Sequence, residues 1–544
     1  MAKAKKQRDC PATGRRISRA ECAENRISRY ACPADCVHNP FAPSNYGDLL
    51  KLEEKVDNRI LRAAMDTPET GAPQQLEALY RDKGSTEAME TFDIQDAVVR
   101  CAFRTPLGDG RTLGEQLLAE TSGWKNDERV LLRAKAAARI MLLEVRGVAG
   151  EEATWVVDLL DGERETVELR DRSLSERVAR FDCLLGWGFD LPHFRRLGGA
   201  VIQWPDLGNI DPVEALVAVA RHLGGPGKPG EELREWLGAH LTEVSDALTE
   251  TARERKRRMF ADMDAITARA FYATEGGAPE TDAVAAALDA SGDCSAEPVD
   301  ADEAEAGYAR SWAWLCPAEE TANALVPGRR VLGNVREGGG NWCVEAFSRA
   351  NFERLKEAFA DAAGERVRFV SERVDDLARQ RAGRGAQPDA ALVVPELVED
   401  VGAVAMSTTR LEDGPDDSPS VDSMEEALAR RWLDQSVPAL SGKTPREAAA
   451  IPEMREALTR LAKGFVQSQD RIALRKGGRP PMEWFFAELG LPGLAMDDDA
   501  AGGAAGDPGP APEASRPGKP GRIRFRFGPL EPWTEMPSER ETAP

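Results

Sequence analysis

The sequence predicts a multidomain α+β protein, and three observations lead to this fold class. The chain has 544 residues, and domains average about 150 residues, so length alone predicts three or four of them. Four of the nine cysteines fall within the first 36 residues, which indicates a small separate unit at the N-terminus. Near residue 140 the spacing of apolar residues changes from a period of about 3.6, typical of helices, to about 2, typical of strands.

These patterns divide the chain into nine segments. In order they are a cysteine knuckle (1–46), a helical region (47–140), a small β-sheet or half-barrel (141–210), a region of long amphipathic helices (211–275), a linker (276–306), a small ββαβ unit (307–378), a second linker (379–423), a helical module (424–495) and a disordered tail (496–544).

Composition excludes several classes of protein. The net charge of −22 opposes wrapping of nucleic acid by the chain as a whole. Only four histidines are present and no HExxH pair occurs, which removes most histidine-based metallohydrolase and triad schemes. No apolar run reaches the roughly 18 residues of a membrane-spanning helix, so we expect a cytoplasmic protein without membrane contact, in which the cysteines stay reduced.

The N-terminal cysteines predict a structural zinc knuckle. Zinc in such sites takes four ligands in a tetrahedron, and a short Cys-x3-Cys loop containing Pro33 can present two thiolates to one ion. A hairpin turning near Thr13-Gly14 would bring in the other pair, and Zn²⁺ would supply folding free energy to a segment too short to hold a core. The predicted ligands are Cys10, Cys22, Cys32 and Cys36, with His38 as an alternative ligand. The alternatives are unpaired thiols on a mobile arm, or a redox role for Cys32 and Cys36.

The same segment is basic. Residues 1–38 carry nine lysines and arginines against four acidic residues, so this arm is positive whereas the rest of the chain is strongly negative. Such a knuckle could contact RNA or the ribosome through phosphates, because lysine and arginine near the backbone release condensed counterions. The alternative is that these charges are solvated, or offset the negative charge of four thiolates on zinc.

The next segments are predicted from periodicity and turn residues. Helices are expected from residue 48 to about 139, one of them opened by a capping box at Thr112-Leu-Gly-Glu115. Five strands follow, with Asp161-Gly162 as a hairpin turn and Gly186, Gly188 and Gly198-Gly199 as bend points. The five are Met141–Val148, Thr154–Leu160, Thr166–Leu169, Val178–Leu185 and Gly199–Trp204.

The second half alternates predicted helices with low-periodicity stretches. One or two long helices are expected over 231–275, and residues 276–306 read as a linker or a weakly helical segment. In the small ββαβ unit (307–378), the predicted order is a strand, a turn at Gly338-Gly-Gly340, a strand, a helix over 350–362 and a strand. The run Arg522–Phe527 alternates basic and apolar residues, as does a strand that docks on a sheet edge.

Two segments resemble known families. The middle of the chain, with Arg111-Thr-Leu-Gly-Glu, Val157-Asp-Leu-Leu-Asp-Gly-Glu163 and Glu345-Ala-Phe-Ser348, resembles bacterial proteins often linked to a zinc-binding SEC-C tail. Near the C-terminus, Pro438-Ala-Leu440, Gly442 and Thr444-Pro445 resemble the toxin-binding domain of Xre/MbcA/ParS-type antitoxins. This second resemblance implies a helical surface that binds a protein partner, with Trp432, Leu440, Thr444 and Pro445 as its candidate residues.

The sequence thus favours a non-enzymatic, zinc-binding adaptor that engages macromolecular partners. One alternative is an RNA- or ribosome-binding protein that acts through its N-terminal arm. The other is a metal-dependent hydrolase or nuclease, which would need a second, oxygen-rich metal site.

Overall fold

The computed structural model describes most of the chain as two compact units. The first comprises the described residues within Met1–Ala252, Ala390–Leu397 and Ala448–Asp507, and the second those within Arg253–Asp389 and Val398–Glu447. The described residues are 7–83, 91–120, 123–150, 152–208, 210–261, 266–316, 331–376, 388–398, 426, 429–474 and 482–495.

The first unit begins with a β-hairpin and a short helix. β1 (Gln7–Cys10) pairs antiparallel with β2 (Arg15–Ser18). Gly14 turns the chain with a φ of +66°, which glycine adopts without strain, so the hairpin turn expected here is confirmed. α1 (Arg19–Asn25) follows directly, and the Ser18 hydroxyl caps it by accepting a hydrogen bond from the N–H of Glu21.

A layer of five helices follows, as the periodicity predicts. α2 buries Leu49, Val56 and Ile60 because spacings of four and seven place them on one face. The capping box expected at the start of α5 is present, since Thr112 and Glu115 each accept a hydrogen bond from the other's N–H. The helices are α2 (Tyr46–Asp66), α3 (Ala72–Lys83), α4 (Thr91–Phe103), α5 (Leu113–Ala119) and α6 (Asn126–Ala136).

The predicted small sheet is a closed five-stranded barrel. Its order is β3-β4-β5-β7-β6, and a parallel contact between β5 and β7 closes it. Alternate residues of β3 serve two cores: Met141 and Leu143 pack with side chains of other strands, whereas Ile140 and Leu142 pack with the helical layer. The strands are β3 (Arg139–Ala149), β4 (Ala153–Asp158), β5 (Thr166–Arg170), β6 (Cys183–Asp190) and β7 (Arg195–Gln203).

Two strand predictions need correction. The fourth strand begins at Cys183, not at Val178, because the preceding residues form a turn in which Phe181 takes a φ of +66°. A short helix, α7 (Arg172–Ser175), comes before this turn. Gly186 and Gly188 lie inside β6, where the pairing with β7 shifts register, so they mark a bulge within the strand and not its ends.

The helical region after the barrel ends earlier than the sequence predicts. α8 (Pro212–His222) starts at an Asp211 cap, and α9 (Glu231–Ala261) contains one non-helical residue, His240. The prediction of helix up to residue 275 is wrong from Ile266 onwards, where the chain forms a strand. Apolar side chains at every second position of this strand face one core, a period that excludes a helix.

The second unit is a six-stranded sheet with two helices against one face and a short helix on the other. Its order is β13-β8-β12-β11-β10-β9, with antiparallel pairing throughout. The strand–turn–strand–helix–strand order predicted for residues 331–371 is present within it. The elements are β8 (Ile266–Thr274), α10 (Ala278–Ala290), β9 (Cys294–Glu297), α11 (Ala301–Glu305), β10 (Arg310–Leu315), β11 (Val331–Gly338), β12 (Asn341–Ala346), α12 (Arg349–Ala363) and β13 (Val367–Asp376).

The linker predicted over 276–306 is therefore wrong. This segment contributes α10, β9 and α11, and α10 buries Val284, Ala285 and Leu288 against the sheet. The prediction relied on periodic large apolar residues, which residues 276–306 lack. Small residues such as alanine can nevertheless pack a helix closely onto a sheet, as they do in α10.

The C-terminal region is helical. α13 (Pro445–Ala449), α14 (Arg455–Leu474) and α15 (Glu483–Glu488) follow a helical stretch at 429–433. α14 packs in the first unit, so the predicted 424–495 module does not coincide with one compact unit. Most of the predicted linker 379–423, the tail 496–544 and the Arg522–Phe527 strand lie outside the described residues. Within the described part of the chain, no helix has the length and apolar content needed to cross a bilayer.

Candidate functional site

The four N-terminal cysteines are brought together in one small buried region. Cys10 ends β1, Cys22 lies in α1, and Cys32 and Cys36 lie in the loop that leads to α2. Each side chain is less than 10% exposed, and all nine cysteines of the chain, which are all described, are free of disulfide bonds. Cys10 and Cys22 form a minimal core with Ile17.

One of these four thiols, Cys32, has a shifted pKa. Burial raises the pKa of the Cys32 thiol, and the neighbouring Cys36, Cys22 and Cys10 raise it further through repulsion of like charge. The like charges that act on Cys32 thus come from the other three cysteines of the segment. In the described residues, however, no three His, Cys, Asp or Glu side chains are arranged closely enough to hold a metal ion.

The backbone around the cysteines is formed by tight turns. The Cys10 carbonyl accepts hydrogen bonds from the N–H groups of Thr13 (3.3 Å) and Gly14 (2.9 Å). In the Cys-x3-Cys loop, the N–H of Cys36 donates to the Pro33 carbonyl at 3.2 Å, so the loop turns within five residues as expected. Four buried sulfurs presented from two turns and one helix are of the type that structural zinc sites use, but the described side chains do not bring three of them to one metal position.

Two basic groups lie next to this thiol cluster. Arg8 Nη1 is 3.7 Å from Cys22 Sγ. Burial lowers the pKa of His38, and the positive charges of Arg8, Arg19 and Arg26 lower it further.

The cysteine region is attached to the rest of the first unit by polar contacts. The Arg26 guanidinium makes two 2.7 Å hydrogen bonds to the Asp127 carboxylate at the start of α6, and Asn126 Nδ2 donates to the Arg26 carbonyl at 2.9 Å. Arg26 also donates to the His38 carbonyl. On the barrel side, His193 Nε2 lies 2.9 Å from the Cys32 carbonyl. Sequence reasoning missed these residues because no local pattern links positions about 100 residues apart.

A polar cavity of about 450 Å³ opens beside the cysteine region. Its wall combines residues of the hairpin and the cysteine loop with the first turns of α2. The lining side chains that carry charge or donate hydrogen bonds include Arg8, Arg26, His38, Asn45, Asp48 and Lys51.

The candidate partner-binding residues near the C-terminus are only partly at the surface. Leu440 is 1% exposed and Pro445 is buried, whereas Trp432 and Thr444 are half-buried. Thr444 caps α13 in a full capping box with Glu447, at 2.8 Å and 3.1 Å. The structure thus gives Leu440, Thr444 and Pro445 a local role in folding this segment.

The acidic residues of the barrel are used as structural groups. Asp158 accepts hydrogen bonds from the N–H groups of Leu142 and Leu160 and pairs with buried Arg234 at 3.0 Å. Asp161 pairs with Arg234 at 2.7 Å and with Arg139 at 2.9 Å. These carboxylates hold α9 on the barrel, and their oxygens are already engaged by donors.

Comparison with known proteins gives no relative for this chain. No protein-family model, no curated protein and no solved structure matches it.

Proposed function

We propose that the chain is a non-enzymatic adaptor whose N-terminal region, residues 7–46, is ordered by one zinc ion bound to Cys10, Cys22, Cys32 and Cys36, and presents a surface to a protein partner. The observation that carries this proposal is the gathering of four buried thiols in a segment with almost no apolar core.

The energetics of the segment support a metal. Residues 7–36 bury Ile17 as their only large, fully covered aliphatic side chain among the described residues, which is far too little for a separate core. Buried cysteines pack as small apolar side chains and add little to such a core, whereas Zn²⁺ binding contributes on the order of 10 kcal/mol to small cysteine modules. Arg8 beside Cys22 offsets part of the negative charge of a four-thiolate site.

Zinc content of the purified full-length protein tests the proposal. We expect one equivalent of zinc per chain, lost in Cys32→Ser and in Cys36→Ser. Cys294→Ser is the matched control, because Cys294 lies in β9, is half-buried and belongs to no thiol cluster among the described residues. Zinc-free wild-type protein, or equal loss of zinc in the Cys294 variant, would refute the site.

A zinc-dependent partner tests the adaptor role separately. Cross-linking and mass spectrometry of zinc-loaded protein in its source cells should recover a protein joined to residues 7–46. The same partner should be lost from Cys36→Ser and kept by Cys294→Ser. Turnover of a substrate by purified protein would contradict the non-enzymatic role.

Exposed arginines support contact with RNA as a second candidate function. Arg15, Arg16, Arg19 and Arg29 are exposed, and the pairs of Arg15 with Glu21 and of Arg16 with Asp9 are weak surface pairs. Binding to a single-stranded RNA should fall steeply with salt, with a log–log slope of about 0.7 per phosphate neutralised. Replacing these four arginines with glutamine should flatten that slope, and an unchanged slope would exclude this function.

A further inference from the structure

We propose that the cavity between the cysteine region and α2 is a binding site for a phosphate group. The cavity has a volume of about 450 Å³, enough for a phosphate and the first atoms of whatever carries it. Its wall brings cations from two separate parts of the chain to one opening: Arg8 and Arg26 from the hairpin and α1 side, and Lys51 from α2.

These cations differ in how firmly they are engaged. Arg26 is held by Asp127, which fixes its guanidinium against the cavity wall. Arg8 has a buried Nε without a hydrogen-bond partner among the described residues, although Nη1 contacts Cys22 Sγ. Because this Nε is covered from solvent, a ligand in the open cavity cannot contact it without a rearrangement of the side chain. Arg8 lines the cavity, and the planar arginine fork matches phosphate oxygens, so we assign its contact with a ligand to the rest of the guanidinium.

Lys51 is available to such a ligand. It pairs with Asp48 at 3.3 Å, but the two side chains are 80% and 71% exposed, so the pair is weak and readily exchanged. Both residues lie in the first turns of the 21-residue α2, whose positive dipole end faces the same region. The Asn45 amide, which could have capped this helix, instead donates to the carbonyls of Cys36 and Asn39.

The charges of the lining point to an anionic group such as phosphate. No Phe, Tyr or Trp is among the lining residues, and His38 is the one aromatic ring in the wall. The lining carries three positive charges, Arg8, Arg26 and Lys51, and two carboxylates. Asp127 pairs with Arg26, and Asp48 pairs weakly with Lys51. The phosphate could come from a small ester or from an RNA backbone, and both present the same oxygens.

This inference rests on the proposed function, because Arg8 and Arg26 belong to the region that zinc is proposed to order. Failure of the two proposals can nevertheless be separated. Lys51 and Asp48 lie on α2, outside the cysteine segment, so their substitution should leave zinc content unchanged. Arg8→Gln also removes the contact with Cys22. The zinc content of this variant is therefore measured alongside its phosphate binding.

The test is calorimetric titration of full-length, zinc-loaded protein with inorganic phosphate and, separately, with a short single-stranded RNA. Lys51→Gln should weaken binding about threefold and Arg8→Gln about tenfold, whereas Asp48→Asn should tighten it about threefold. Arg62→Gln, an exposed cation on the same helix but not lining the cavity, is the control and should bind as wild type.

The outcomes separate the sources of the phosphate and can overturn the site. If inorganic phosphate binds with the expected order of variants and RNA adds nothing, the ligand is a small phosphate. If RNA binds much more tightly and follows the same order, the site holds a backbone phosphate. Absence of saturable binding of either probe, or equal effects of Lys51→Gln and Arg62→Gln, would overturn the proposal.

Discussion

Arg26 and Asp127, which are 101 positions apart in sequence, form a two-pronged ion pair with both N–O distances at 2.7 Å. The pair joins the cysteine region to the first turn of α6, and the two side chains are only 17% and 18% exposed. Since bidentate, partly buried pairs are the strong ones, this contact sets how firmly the region is held on the helical layer.

We therefore expect Arg26→Gln to loosen the cysteine region without unfolding the first unit. The free energy of local opening of residues 7–36 should fall by about 1–3 kcal/mol, because charged hydrogen bonds of this kind contribute that much. Native-state hydrogen exchange measures it. Arg15→Gln, which removes a 64%-exposed partner of Glu21, is the control and should change opening by less than about 1 kcal/mol. Equal effects of the two substitutions would contradict the role given to Arg26.

A second prediction concerns α14 and the barrel. The Asp470 carboxylate is fully buried and accepts hydrogen bonds from the N–H, Nε and Nη2 of Arg180 at 2.7–2.9 Å. Asp470→Ala would remove the buried carboxylate of Arg180 and leave it the more distant, half-exposed Glu483 at 3.9 Å, which costs about 3–5 kcal/mol. We expect proteolysis within Arg455–Leu474 to accelerate strongly. Glu456→Ala, at a 76%-exposed position of the same helix, should have little effect, and similar cleavage of both variants would disprove the docking role.

A feature of this fold can be predicted from the sequence when it depends on neighbouring residues, and not when it depends on residues far apart in the chain. The capping box at Thr112 and the turn at Gly14 follow from neighbouring residues, and the structure has them where expected. The strand Ile266–Thr274 was missed because apolar residues at 259, 263, 266 and 270 also fit a helical period. The choice between helix and strand depends on whether alternate side chains are buried in a sheet. That burial requires partner strands that are distant in sequence.

The candidate site divides in the same way. Composition and a short spacing single out Cys32 and Cys36 in the sequence. In the structure they are buried, as are Cys10 and Cys22. The cavity could not be predicted, because Arg8 and Lys51 meet only after the hairpin has folded back onto α2. No local pattern encodes such a meeting of distant cations.

A third prediction is a pH dependence that arises in the second unit. Glu345 on β12 is buried, and its two carboxylate oxygens accept hydrogen bonds from Arg336 and Arg269, both at 2.7 Å. Burial by itself raises the pKa of Glu345, but the two arginines outweigh it and hold the pKa below the ordinary value. A carboxyl with a lower pKa in the folded than in the unfolded state stabilises the fold above the unfolded pKa of about 4.3.

This contribution should disappear as the pH falls through the folded pKa of Glu345. Glu345→Gln should therefore flatten the loss of stability below about pH 4.3. Near neutral pH it should cost about 3–5 kcal/mol, because it removes the carboxylate that pairs with both buried arginines and leaves Arg336 its pair with Glu303 at 2.9 Å. Denaturant melts between pH 3 and 7 measure both effects. Glu353→Gln, at a 60%-exposed position, is the control. Parallel pH curves for wild type and Glu345→Gln would show that this carboxyl does not carry the dependence.

The fourth prediction tests the packing of α12 on the sheet at a single glycine. Gly333 on β11 has no space for a side chain, since a Cβ there would lie 2.2 Å from the Glu345 carbonyl oxygen and 2.4 Å from Leu355 Cδ1. A backbone oxygen of the paired strand cannot move away without breaking the sheet, and Leu355 is fully buried. Overpacking of this kind costs about 1–3 kcal/mol, or more where backbone must shift, so Gly333→Ala should lower the denaturation midpoint of the second unit. Gly292→Ala in the same unit is the matched control: a Cβ at that position meets nothing within 4 Å, and its midpoint should stay near wild type. If both alanines were tolerated equally, α12 would have to lie farther from β11 than the structure places it.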